Sequence, residues 1–269
     1  IEDIAQGLGA AWQGRKVGTF GRLAIATFGP TKNITALSGA CVFTDDDELA
    51  ARLRTGMAAV KPLSVLKTLS ALAFATAMAV AAWPPLFRAA LAPLVRWGRR
   101  RGTDPIAKAT DDPPRDFTGV PAAFFTGGVG HLMGEVGTVS LAAMDERNAR
   151  RRRNGERLAA LLANEPEIVV PRPRSEESPI FMSFPILVDR PEEFAGELLA
   201  RGVDTARGYM SACARLPMFG STDRTPQAET AEDRMLHLPV HPALTEADME
   251  AIATAVKAAL AARRAGGAQ

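Results

Sequence analysis

Short apolar runs alternate with polar, breaker-rich stretches along the chain, and the clearest run near its start is Leu23-Ala24-Ile25-Ala26. Closed off by Gly29 and Pro30, it predicts a buried strand that ends in a polar loop. Ala40-Cys41-Val42-Phe43-Thr44 predicts a second short strand. Asp45, Asp46 and Asp47 then predict the capped start of a helix to about Val60, with acids at the positive end of its dipole. Residues 124–165 open on Thr126-Gly127-Gly128-Val129-Gly130 and read as one long helix with apolar positions at Met133, Val136, Val139, Leu141 and Met144. Glu167-Ile168-Val169-Val170 and Ile180 to Val188 are strand-like, and Arg190 to Arg201 is an amphipathic helix ended by Gly202. Thr245 caps a last helix with Glu246 and Asp248 in its first turn.

One segment breaks this rhythm. Thr68 to Phe87 carries no charge and is dominated by Ala, Leu, Val, Met and Phe, while Lys61, Lys67, Arg88, Arg96 and Arg99 to Arg101 flank it. The length approaches a membrane span, and basic flanks suit anionic headgroups. The alanine content and Pro84-Pro85 argue instead for a helical hairpin packed on the protein or for a peripheral membrane contact through residues 68–87. Residues 102–117, with Asp104-Pro105 and Asp111-Asp112-Pro113-Pro114, predict an exposed linker.

Composition narrows the function classes. The net charge of +2 is too small to argue for nucleic acid. The arginine run at Arg150 to Arg153 sits in a helical pattern with interspersed acids, which predicts a solvated face. Two cysteines, Cys41 and Cys213, predict reduced thiols and a cytoplasmic protein. The three histidines have no ligand spacing, so no metal is expected. Asn33-Ile34-Thr35 matches a glycosylation acceptor only by chance in a chain that shows no signal peptide.

The candidate chemistry lies in Thr27-Phe28-Gly29-Pro30-Thr31-Lys32-Asn33. A lysine at the end of a core strand can be desolvated, which frees its amine as a nucleophile. Before it stand Glu2-Asp3-Ile4-Ala5-Gln6 with Gly9-Ala10, then a turn-rich hairpin from Gly14 to Gly21. After it come Asp145-Glu146-Arg147-Asn148-Ala149-Arg150-Arg151-Arg152 and Ala231-Glu232 with Leu236-His237-Leu238-Pro239. In this order the motifs resemble the DegT/DnrJ/EryC1/StrS family of pyridoxal-phosphate-dependent sugar aminotransferases.

The resemblance implies an α/β fold: the end of the large cofactor domain of a fold-type-I transferase (1–60), an apolar helical insertion and linker (61–117), and a long helix with a small C-terminal α/β domain (118–269). It implies pyridoxal 5′-phosphate as cofactor, attached at Lys32, with Lys32 also moving the proton at the substrate carbon. Asp3, as a buried carboxylate, would hold the proton on the pyridine nitrogen. Gln6, one helical turn on, would reach the phenolic oxygen, and Thr27 the phosphate. The substrates implied are a nucleotide-linked keto-sugar and an amino-acid donor, used by a homodimer. Family members carry a large stretch before this point, so the chain is expected to be a C-terminal portion.

The lost glycines, the missing Asn and Arg and the expected absence of the front half support a rival reading, a degenerate member that serves as a regulatory or interaction module. The family's G-E-G-G turn is Ala36-Leu37-Ser38-Gly39 here. Arg22 stands where an acid is common, and the Asn and Arg of the turn before the long helix are absent. His241 fills a position where aromatics are tolerated and reads as packing.

Overall fold

A computed structural model describes residues 1–81, 83–100, 127–207 and 210–266. The expected linker at 102–117, Thr126 and the Gly208-Tyr209 pair lie outside the described residues. In chain order the strands are β1 (Glu2–Asp3), β2 (Ala11–Trp12), β3 (Arg15–Lys16), β4 (Ala24–Thr27), β5 (Ala40–Phe43), β6 (Ile168–Val169), β7 (Glu177–Ser178), β8 (Phe184–Val188) and β9 (Met235–Leu238). The helices are α1 (Asp47–Ala58), α2 (Val65–Ala81), α3 (Pro84–Leu86), α4 (Ala92–Arg100), α5 (His131–Ala142), α6 (Met144–Leu162), α7 (Pro191–Ala200), α8 (Pro226–Arg234) and α9 (Glu246–Gly266). A π-helical turn at Phe87–Leu91 joins α3 to α4.

The described chain divides into two compact units, and the division passes through α4 and α6. In the first, β4 is central in a sheet ordered β1-β4-β5, parallel to β1 and antiparallel to β5. Ala24 and Ala26 point into a core with Ile4, against which Leu8, Val17 and Phe28 pack. Their small side chains let the layers close tightly, which is why Ala24 and Ala26 are fully buried here. The β2–β3 hairpin pairs on its other side with β7.

Helix α1 starts as its acids predict: Asp46 is the N-cap and accepts the Leu49 N–H at 2.9 Å. The other Asp46 oxygen accepts from Arg22 at 2.7 and 2.8 Å. Arg22, a departure from the family pattern, thus ties the start of β4 to the first turn of α1.

The second unit has an antiparallel sheet ordered β6-β8-β9, with α7 packed on β8 and β9 and α9 packed on α7. Phe184, Ile186 and Val188 alternate into its core with Leu236 and Leu238, and Phe194, Leu198, Met249, Val256 and Leu260 close it from the helices.

Three expectations shift. The single long helix is two, α5 and α6, broken at Ala143. The strand expected from Ile180 starts at Phe184, because Phe181 takes a positive φ of 46° that no strand accommodates. Gln6 lies in a turn rather than one helical turn beyond Asp3, since Asp3 ends β1 and the Gly7 N–H returns to Ile4 O at 3.0 Å.

Candidate functional site

Strand β4 delivers the chain to the site. Its last residue, Thr27, pairs with Ala40 of β5, and the twelve residues between, 28–39, form a loop over the end of the sheet. The loop is pinned to its own start: Phe28 O accepts from the Ala36 N–H at 3.0 Å, and the Phe28 N–H donates to Gly39 O at 2.9 Å. Gly39, the glycine retained from the family turn, has φ +103°, and a Cβ there would stand 2.6 Å from Val129 Cγ2. Only glycine fits that approach. Leu37 also lies in the left-handed region, at φ 70°, with its side chain buried.

Lys32 sits on a turn closed by its own N–H donating to Gly29 O at 3.1 Å. Its side chain is half-buried, and among the described residues the amine has no hydrogen-bond or ion-pair partner. The next residues are anchored deeply, with Asn33 only 6% exposed and Ile34 1%. Thr27 Oγ1 is buried and makes no hydrogen bond. A buried hydroxyl left unsatisfied costs about 1–3 kcal/mol. An oxyanion at the strand end would satisfy it, so the threonine fits a phosphate oxygen, while the lysine amine has the chemistry to hold an aldehyde.

The anchor of the lysine loop is a pair of amides that sequence reasoning did not single out. Asn33 Nδ2 donates to Leu8 O at 2.8 Å and to Asn148 Oδ1 at 3.3 Å, and Asn148 Nδ2 donates to the same Leu8 O at 3.1 Å. Both amides are buried. Gly9, at φ +93°, makes room for them: a Cβ would lie 2.4 Å from Asn148 Nδ2. The available signal was two asparagines set in family-like motifs, T-K-N and L-D-x-x-N.

Asp3 and Gln6 arrive differently. Asp3 sits opposite Ile25 in the parallel β1–β4 pair, two residues short of Thr27's level on the neighbouring strand. Its carboxylate was expected to be buried, but it is exposed, and Oδ1 accepts the Ala5 N–H at 2.9 Å. The reason is topological: β1 is an edge strand, covered on one side only. Gln6 is exposed in the turn that follows.

Glu2, beside Asp3, has a structural task. Its carboxylate accepts the N–H groups of Gly18 at 2.8 Å and Phe20 at 2.6 Å, and that of Gly21. These donors, Gly21 first, hold its pKa below the usual value.

In the second unit, His237 is buried, its Nδ1 lies 2.8 Å from Ser183 Oγ, and burial lowers its pKa. His241 Nδ1 accepts the Ala243 N–H at 3.2 Å, and its own carbonyl is held by Asn154 Nδ2 at 3.1 Å, which fits a packing role. Arg215 bridges Asp233, at 2.6 and 2.9 Å, to Glu232 at 3.1 Å, and Arg224 pairs with Glu229 at 2.7 Å. Cys41 and Cys213 are free and exposed.

The chain is 24% identical over 249 residues to dTDP-3-amino-3,4,6-trideoxy-alpha-D-glucose transaminase of Streptomyces venezuelae, covering 91% of the chain and 52% of that protein. GDP-perosamine synthase of Caulobacter vibrioides is 43% identical over 54 residues, 20% of this chain and 15% of that one. Among solved structures, the sugar aminotransferase CalS13 of Micromonospora echinospora aligns with a TM-score of 0.64 at 23% identity, over 96% of this chain and 57% of that chain. The aminotransferase PseC of Helicobacter pylori, involved in pseudoaminic acid biosynthesis, gives 0.64 at 16%, over 97% and 59%. The fold is therefore that of this group of pyridoxal-phosphate-dependent enzymes, and the chain spans about half the length of the S. venezuelae relative. The model of the DegT/DnrJ/EryC1/StrS aminotransferase family matches residues 1–65 and 130–257, and the chain belongs to that family.

Proposed function

We propose that the chain carries the lysine half of a pyridoxal-phosphate site and that the protein transaminates a keto-sugar, carried on a nucleotide, with an amino acid as donor. The observation that carries this reading is the buried and unsatisfied Thr27 hydroxyl at the end of the strand that leads into the Lys32 loop, with the Lys32 amine without a partner among the described residues. The relatives named for nucleotide-sugar transamination point the same way. When bound, the cofactor supplies an electron sink for the reacting carbon. Lys32 Nζ is the attachment point, and it takes and returns the proton at the substrate carbon. Thr27 Oγ1 donates to a phosphate oxygen. Asp3 holds the proton on the pyridine nitrogen once its edge is covered, and Gln6 meets the phenolic oxygen. Asn33 holds the lysine loop in register through Leu8 and Asn148.

The domains we assign are the end of the cofactor domain at 1–60, an insertion and linker at 61–117, and the small domain with its long helix at 118–269. We further propose a homodimer working in the cytoplasm, where the free, exposed thiols of Cys41 and Cys213 stay reduced.

Borohydride reduction in the presence of pyridoxal phosphate, followed by peptide mapping, tests the site. A pyridoxyl group on Lys32, lost in Lys32→Ala, is the expected result. A folded protein with no adduct would sink the enzyme reading. It would favour the rival, a degenerate module, for which the buried Leu37 at φ 70° in place of an open glycine turn is the specific support.

A further inference from the structure

Helix α2 wears its sequence inside out. An ordinary surface helix turns its large apolar residues inward and its polar ones to water. Across its 17 residues only Thr68 is buried, and Ala71, Leu72, Ala75 and the terminal Ala81 are half-buried. Around the rest of the helix Leu66 is 78% exposed, and Leu69, Phe74, Met78 and Val80 are exposed too; Trp83, just past the helix, is 60% exposed. Exposed large apolar residues gathered on one helix in this number mark an interaction site.

The charge pattern says what covers it. From Leu49 to Thr103 the chain has nine Lys and Arg residues and none of its 30 acids. Lys61 and Lys67, at the root of α2, are exposed and form no ion pair among the described residues. A cation-rich, acid-free stretch around an apolar helix complements an anionic lipid surface rather than a protein patch of mixed charge. The helix is about 25 Å long at 1.5 Å per residue, short of a hydrocarbon core of about 30 Å. Among the described residues no helix is long and apolar enough to cross a membrane. Contact from one side is the geometry that remains for this helix.

The segment also stands apart from the family fold, because the family match stops at residue 65 and resumes at 130. Its root is closed: the Gly128 N–H donates to Lys61 O at 2.9 Å, and Gly128 O accepts the Leu63 N–H at 3.0 Å. The helix therefore starts from a fixed base.

We propose that α2 and Trp83 dock the protein on an anionic membrane, seated at the boundary of headgroups and acyl chains, with Lys61 and Lys67 at the lipid phosphates. The proposal stands independently of the aminotransferase reading.

Flotation of the full chain with phosphatidylcholine vesicles, with and without phosphatidylglycerol, is the test. Expected is flotation with the anionic vesicles, a blue shift of Trp83 fluorescence in a variant with Trp12 and Trp97 replaced by Phe, and loss of both in Leu69→Glu/Val80→Glu. Lys61→Gln and Lys67→Gln should each weaken partitioning roughly fivefold, the equivalent of about 1 kcal/mol per cation near the surface. Failure to float with anionic vesicles, or equal flotation with both vesicle types, overturns the proposal. So does self-association by sedimentation velocity that Leu69→Glu/Val80→Glu abolishes while vesicle binding is absent, which would assign the face to a second copy. Circular dichroism of each variant separates these outcomes from misfolding.

Discussion

Asn33 and Asn148 are 115 positions apart in sequence and share one acceptor, Leu8 O, while Asn33 Nδ2 also donates to Asn148 Oδ1 at 3.3 Å. The residue after the candidate lysine is thereby fixed to the first half of α6 and to the turn that follows Asp3. Removing either amide breaks the bond between the two and leaves the other held by Leu8 O alone. Asn148→Ala removes two buried hydrogen bonds, at about 0.5–1.5 kcal/mol each, read as a lower urea midpoint. Because Asn33 adjoins Lys32, Asn33→Ala should also slow borohydride trapping at Lys32 under conditions where the variant is folded.

Gly9→Ala should be at least as damaging as Asn148→Ala. It forces a Cβ to 2.4 Å from Asn148 Nδ2 at φ +93°. The amide must leave its pocket, so Gly9→Ala and Asn148→Ala should be strongly non-additive in a double-mutant cycle.

Thr27→Val separates folding from cofactor binding. It removes a buried hydroxyl that makes no hydrogen bond, so the cofactor-free protein should be unchanged or up to about 1 kcal/mol more stable. If that hydroxyl meets the phosphate, pyridoxal phosphate affinity should fall roughly tenfold, since a hydrogen bond to a charged group is worth about 1.5–3 kcal/mol. Thermal melting and fluorescence titration would show effects of opposite sign. A loss of stability without loss of affinity would remove Thr27 from the site.

Acid should weaken the fold from several places at once. Glu2 is lowered by N–H donors from Gly21, Gly18 and Phe20, Asp46 by Leu49 and Arg22, Glu229 by Arg224, and Asp233 by Arg215. A carboxylate with a folded pKa below its unfolded value binds its proton more readily in the unfolded chain. Its contribution is complete above the unfolded value, near 4.5 for Glu and 3.8 for Asp, and is lost as pH falls through the lower folded value. His237, lowered by burial, acts earlier: its contribution is present above 6.5 and is lost as pH falls through its folded pKa. Urea midpoints should thus start to fall below pH 6.5 and fall more steeply below about pH 4.5, with Glu2→Gln flattening only the lower step.

Much of this was legible in the sequence, for a local reason. Strand β4 and its loop follow from an alanine-rich run with Gly29 and Pro30 behind it, and α1 from a triplet of aspartates, one of which caps it. What could not be read needed partners distant in the chain. The Asn33–Asn148 pair is invisible to periodicity, and the exposure of Asp3 follows from β1 lying at a sheet edge. Phe181 at φ 46° shortened a strand that its apolar neighbours favour, and no residue type at that position announces such a turn. Even Arg22, which looked like a lapse from the family pattern, turned out to be a tether to Asp46.

The closed base at Lys61–Leu63 and Gly128 has a consequence for how such a protein changes over time. Entropy of loop closure rises only as the logarithm of length, about 0.6 kcal/mol per doubling. A graft at a point where the chain leaves and returns side by side therefore costs the host only about 1.5 kcal/mol more at sixty residues than at ten. Residues 66–126, which stop short of Gly128 and of the Val129 that packs on Gly39, can be lengthened, shortened or exchanged with little tax on the lysine loop, and a scaffold of this family can acquire or lose a cellular address there without renegotiating its chemistry.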